Sequence, residues 1–279
     1  MKGADISKIP VKIKLILLGF FVALSSTGIG IGGGIIFVSA FISVFKFDFK
    51  RAAGLSLATI IPITFVGGVS HLFFFSTPPA FKYFLIFIPM CILGTLIGST
   101  YLHKWNNQWL KWVFTLFLLV SSLRILKFVD FPFLLFSNLN NISWAHEAIF
   151  IMAFGVLIGI IATWMGIGCG LLIVPFFVIV MNFNMHQAIC LSLTTMFFLA
   201  TSATFQRHKL ARLDFNSYRV MFFPSLAGAI AGSSISGLLP CFFLKQLFGI
   251  TLSLIACSYI YHLLTQTIKT RALHAHRNQ

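Results

Sequence analysis

Acidic residues are almost missing from this chain of 279 residues: it holds five Asp and Glu against 20 Lys and Arg, and only 9% of it is charged. Soluble domains carry roughly a quarter charged residues, so a surface this poor in charge cannot be wetted over most of its area. No CxxC pair and no HExxH motif occurs. The five cysteines, Cys91, Cys169, Cys190, Cys241 and Cys257, are scattered through apolar stretches. Neither a disulfide framework nor a metal set is implied. With no buried acidic pair and histidines mostly in loops, a hydrolytic enzyme has little to work with. The expectation is a protein that is not an enzyme and needs no cofactor.

What fills the chain instead is apolar: 58% hydrophobic residues, among them 34 Phe. The net charge of +15 would suit nucleic acid only if the basic residues shared one face. They fall between apolar segments, which is the positive-inside pattern of a membrane protein, and no nucleic-acid partner is expected. The start imitates a signal peptide, with lysines to Lys14 followed by Leu15 to Leu24. Because the apolar run continues to Phe45 without a cleavage site, it is read as the first membrane segment.

Eight apolar segments can be drawn, at about 15–45, 52–75, 83–101, 107–128, 148–183, 187–205, 215–237 and 242–268. A polar interval from Asp130 to Glu147 parts them into two sets of four. The expected organisation is repeat 1 at 1–128, a linker at 129–147 and repeat 2 at 148–279, forming one all-α polytopic membrane domain.

Duplication carries that division. Gly30-Ile31-Gly32-Gly33-Gly34 returns 136 residues later as Gly166-Ile167-Gly168-Cys169-Gly170, and the two windows from these glycines to Thr59 and Thr195 share 13 of 30 positions. Pro89 matches Pro224, and Gly94-x-x-x-Gly98 matches Gly228-x-x-x-Gly232. As one straight helix, 15–45 would run about 46 Å, well beyond the roughly 30 Å hydrocarbon core. Glycines favour a break there. The spacing predicts two half-helices of about 13 residues, either one broken crossing or a hairpin that re-enters. Residues 148–183 repeat the plan.

Loop charges bear on that choice. If every segment crosses, 14 basic residues share the side of the N-terminus and 6 lie opposite; if the glycine-broken segments turn back, the split is 16 to 4. Lys46, Lys50 and Arg51 follow the first segment, whereas its counterpart near His186 has no Lys or Arg. Equivalent loops thus face opposite sides, as inverted repeats require, and the hairpin is favoured. Both counts place the termini in the cytoplasm.

A broken helix bares amide groups and the positive end of a dipole, which suits an anion. Candidate substrate-binding residues are therefore Thr27, Gly30, Gly32, Gly33, Gly34, Ser56 and Thr59 in the first repeat. Thr163, Gly166, Gly168, Cys169, Gly170, Ser192 and Thr195 are those of the second. Ser25, Ser26 and Thr194 lie close by, and a hydroxyl could meet an oxyanion without burying a formal charge. Close helix packing is the competing reading and is preferred for Gly94, Gly98, Gly228 and Gly232, whereas the two glycine clusters are denser than packing needs. His71, His262 and Glu147 read as helix-end or interfacial residues, and no acidic residue is placed as a proton relay.

The two glycine motifs, each followed by Ala-x-x-Leu-Ser-Leu beginning at Ala52 or, with Ile189 and Cys190 between, at Ala188, together with His208-Lys209 to Asp214, resemble the sulfite exporter TauE/SafE family. The similarity spans both repeats. It implies an integral protein of the bacterial inner membrane that moves sulfite, sulfonates or related organic anions. The expected function is a secondary exporter working by alternating access at a mid-membrane site between the repeats, with lipid and a small anion as partners. A channel for anions or small solutes, and a non-transporting structural protein, are the alternatives. Proton or ion coupling, direction and self-association stay open. Ser39, where Pro175 stands in the second repeat, and Cys169 depart from the family pattern.

Overall fold

The computed structural model describes residues 9–74, 81–101, 107–127, 144–165, 169–208 and 215–277. Every regular element among them is helical. In chain order these are α1 (Ile9–Ile29), α2 (Gly34–Ser43), α3 (Phe49–Phe74), α4 (Phe81–Tyr101), α5 (Asn107–Ile125), α6 (Trp144–Met165), α7 (Gly170–Pro175) leading into a wide π-turn at Phe176–Val180, α8 (Met185–His208), α9 (Phe215–Leu238) and α10 (Cys241–Arg277). Seven of them are long and apolar enough to cross a membrane, while α2 and Gly170–Val180 are shorter apolar helices. The interval 128–143, most of the expected linker, lies outside the described residues.

The glycine breaks do fall inside both over-long segments, but they are not central. The first arm, α1, has 21 residues, and α6 has 22. The second arms have 10 and 11. Equal half-helices of about 13 residues are therefore a correction. The physical reason is that α1 starts earlier than the apolar run: Lys12 and Lys14 belong to its exposed first turns, where long basic side chains can reach an interface. From Leu15 to Ile29 the uncharged part of α1 is only about 22 Å long, so the lysine-bearing first turns make up the rest of its span.

Contacts between helices give their directions. On α3 and α8, Phe65 meets Phe197 with ring centroids 5.2 Å apart, and Gly68 lies against Thr194. Numbers rise on one as they fall on the other, so these equivalent helices are antiparallel. Gly19 lies against Met221, Gly228 against the Phe20 carbonyl and Gly232 against that of Leu24, so α1 and α9 run parallel. Gly155 meets Met90, Gly94 meets Val156, and Gly98 meets Ile160, so α4 and α6 also run parallel. Only six residues join α8 to α9, which makes those two antiparallel. It follows that α1 and α3 run the same way. The chain between them must return, and α2 is the returning arm. The repeats are inverted, and the broken segments are hairpins.

Small residues make these pairings possible, as the packing reading of Gly94, Gly98, Gly228 and Gly232 had it. A Cβ at Gly94 would strike the Val156 carbonyl, and one at Gly228 would strike that of Phe20. Phenylalanine then anchors the short arms. Phe37 and Phe41 stack in α2, while Phe176 stacks on Phe154 of α6 at 3.8 Å and Phe177 meets Phe87 edge-on.

Both short arms finish alike. The Phe45 amide donates five residues back to the Ala40 carbonyl, and that of Met181 to Phe176; Phe47 donates to Phe41, and Phe183 to Phe177. These pairs coincide under the 136-residue offset. Proline removes a helical donor and its ring crowds the preceding turn, which suits the π-turn after Pro175. Ser39 stands at the matching place in α2 and the same ending forms, so the ending does not depend on proline.

Candidate functional site

The first break is built from three glycines in the left-handed region, Gly30 at φ 80°, Gly32 at 79° and Gly33 at 67°. Side-chain-bearing residues rarely adopt this backbone. α1 ends as the Gly30 amide donates to the Ser26 carbonyl at 2.8 Å, and α2 begins as that of Phe37 donates to Gly33 at 2.9 Å. Between those bonds the chain doubles back, placing Gly33 against Val22 and Ser26 of α1. Helix geometry leaves the amides of Gly34, Ile35 and Ile36 without helical acceptors, and the N-cap residue Gly33 has no side chain to cap them; no capping side chain is found among the described residues. The positive end of the α2 dipole therefore lies uncapped within the protein.

The second break is described only from Cys169 onward; Gly166 and Gly168 lie outside the described residues. Cys169 caps α7 through its carbonyl, which accepts from Leu172 and Ile173 at 2.9 and 3.0 Å. Its thiol lies 3.9 Å from the Ile158 carbonyl of α6 and is buried. That directs it at its own hairpin.

The two breaks touch. A Cβ on Gly170 would strike the Gly30 carbonyl and lie 2.7 Å from that of Ile31. Only glycine permits this approach. Ser192 of α8 donates to the Gly30 carbonyl at 3.0 Å, and Ser56 of α3 donates to the Gly34 carbonyl at 3.2 Å. Inverted arms entering from opposite sides thus meet at one depth, which by their symmetry is the middle of the fold.

The other predicted hydroxyls divide. Thr27 donates to Ala23 within α1 at 2.9 Å and to Ala229 of α9 at 3.0 Å. Thr163, its counterpart, bonds Gly159 at 3.0 Å and reaches Thr95 of α4 at 3.4 Å. Both clamp their hairpin to the parallel helix of the other repeat, away from the point where the breaks touch. Thr59 and Thr194 bond back to Leu55 and Cys190 on their own helices. Thr195 is fully buried, and its hydroxyl has no hydrogen-bond partner among the described residues. It shares a face of α8 with Ser192, three residues away.

Two participants were not among the candidate binders. Ser26 is 1% exposed and its hydroxyl too lacks a partner among the described residues, although it lies against Gly33. Its place in the Ser25-Ser26-Thr27 cluster was the signal, and only the turn of α1 tells which of the three faces the break. Met196, one turn from Ser192, lays its thioether on Gly32: a Cβ there would strike Cε and come within 2.6 Å of Sδ. An apolar residue among apolar residues gave no signal. His71 of α3 is buried, its Nε2 lying 3.2 Å from the Thr27 carbonyl. It meets a carbonyl in the last turn of α1, which helix geometry leaves open.

Two inverted repeats of membrane helices, each with a glycine-broken hairpin and the breaks in contact, make up an architecture shared by many membrane transporters. The model of the sulfite exporter TauE/SafE family matches residues 2–125 and 151–278. The chain therefore belongs to that family of membrane transporters. Among curated proteins and among solved structures, no match was found.

Proposed function

We propose that this protein exports a small oxyanion, sulfite or a sulfonate, through a site where the two glycine breaks meet. The observation that carries this is the contact of Gly170 with the Gly30–Ile31 backbone beside the uncapped amide end of α2. Amides and the helix dipole attract an anion without requiring a buried cation. Residues 1–128 and 148–279 act as one transport unit, with the named glycines and hydroxyls at or around its centre. Rocking of one inverted repeat against the other exposes the centre to each side in turn.

The termini lie in the cytoplasm of a bacterial inner-membrane protein, as the charge distribution and the helix directions together favour. An inside-negative potential drives an anion outward, so efflux needs no acidic proton relay.

Proteoliposomes loaded with sulfite, sulfate, thiosulfate, sulfonates or carboxylates test the proposal under imposed voltage or pH gradients. Saturable, voltage-responsive flux of a sulfur oxyanion with counterflow is the expected result. Single-channel currents would replace the carrier by a channel, and no flux of any anion would overturn the proposal.

A further inference from the structure

Ser26 and Thr195 differ from the hydroxyls beside them, a condition shared among the described residues by Thr204 and Ser236. Ser25, Thr27, Thr59 and Thr194 all donate to the carbonyl four residues back on their own helices. That bond is the ordinary way to satisfy a hydroxyl inside a membrane helix. Ser26 and Thr195 do not make it, and both are enclosed by protein. A buried hydroxyl without a partner is costly, so its persistence calls for a function.

Ser26 flanks the broken loop itself, and Thr195 lies within one helical turn of residues that hold it. Ser26 lies against Gly33, the residue before α2, within a few ångströms of the uncapped amides. Thr195 is three residues along α8 from Ser192, which grips Gly30, and precedes Met196, which lies on Gly32. We propose, building on the transport reading above, that Ser26, Thr195 and the amide end of α2 form the seat for the head of a compact oxyanion, and that the Met196 thiomethyl is the plug the head displaces.

Methionine suits a plug. Its chain is unbranched and polarizable and repacks at little cost. At the position 136 residues earlier stands Ile60, which is β-branched and buried. The methionine plug thus has no counterpart in the other repeat, and the repeats are functionally unequal. Hydroxyl and amide donors without a cation recognise an acceptor-rich anion head. A thiomethyl group is close in size to such a head, so Met196 also limits how large a substituent the anion carries.

The test combines thermal unfolding of the purified protein with counterflow in proteoliposomes, using sulfite and a bulky aryl sulfonate as probes. Ser26→Ala and Thr195→Val remove no hydrogen bond from the ligand-free protein, so Tm without anion should hold or rise. The half-saturation concentration for sulfite should rise about tenfold, the loss expected for one hydrogen bond to a charged group. Met196→Ala should shift the preference between the probes about tenfold toward the bulky one. Should wild-type protein bind and carry sulfite while all three variants keep its affinity and preference, the seat is overturned and the transport reading stands. Should Ser26→Ala and Thr195→Val lower Tm without anion, these hydroxyls are structural and the seat is again overturned. Should wild-type protein carry neither probe and no other anion, both proposals fall.

Discussion

Ser192 donates to the Gly30 carbonyl across 3.0 Å, joining the second helix of one repeat to the broken hairpin of the other. Gly30 is in the left-handed region, so its carbonyl points out of the α1 ladder and needs a donor from elsewhere. Ser192→Ala leaves that carbonyl unpaired inside the protein. The expected loss is about 1–3 kcal/mol of stability, with slower transport because the two breaks lose their tie. Unfolding in detergent and flux in proteoliposomes measure both. An unchanged Tm would show that the bond contributes nothing.

The His71 contact with Thr27 has the same logic at the end of α1. His71→Ala strips the Thr27 carbonyl of its donor and opens a cavity where α1 meets α3, whereas His71→Gln keeps an amide donor of similar reach. Alanine should cost about 1–3 kcal/mol and glutamine less than half of that. Equal losses would mean that packing, rather than the hydrogen bond, fixes the helix end.

Gly170 tests whether the touching breaks matter by shape alone. Gly170 opens α7 with helical backbone, so Gly170→Ala adds a Cβ without backbone strain, directly against the Gly30 and Ile31 carbonyls. Overpacking of this kind costs about 1–3 kcal/mol, more where backbone must move. Transport should fall further than stability, since the added methyl separates the breaks. Wild-type flux in a protein of wild-type Tm would refute a functional contact there.

Much of this architecture was legible in the chain because its causes are periodic or compositional. The 136-residue offset, the excess length of 15–45 and 148–183 and the opposed loop charges all announce inverted hairpins. The depth of each break was less legible, because lysines 12 and 14 look like loop yet continue α1. Within the site, the glycines carry a strong local signal, since only they accept the backbone angles seen at 30, 32 and 33. Hydroxyls carry a weak one: Thr27 and Thr163 serve as clamps and Ser26 faces the break, a distinction made by helix rotation and by partners 202 and 68 positions away. Met196 was invisible, because an apolar side chain gains its meaning only from what lies beneath it.

Helix directions make the last prediction. With α1 parallel to α3, Lys46 shares the side of the N-terminus, while Lys82, Lys127 and Lys245 face the other. Had each glycine-broken segment crossed only once, Lys46 and Lys82 would exchange sides, so single cysteines at these two positions discriminate between the models. In a background lacking the native thiols, a membrane-impermeant maleimide added to intact cells should label Lys82→Cys and leave Lys46→Cys untouched until the membrane is opened. The reverse pattern, with Lys12→Cys at the start of α1 still reached only after the membrane is opened, would make each broken segment a single crossing and remove the inversion on which a shared central site depends.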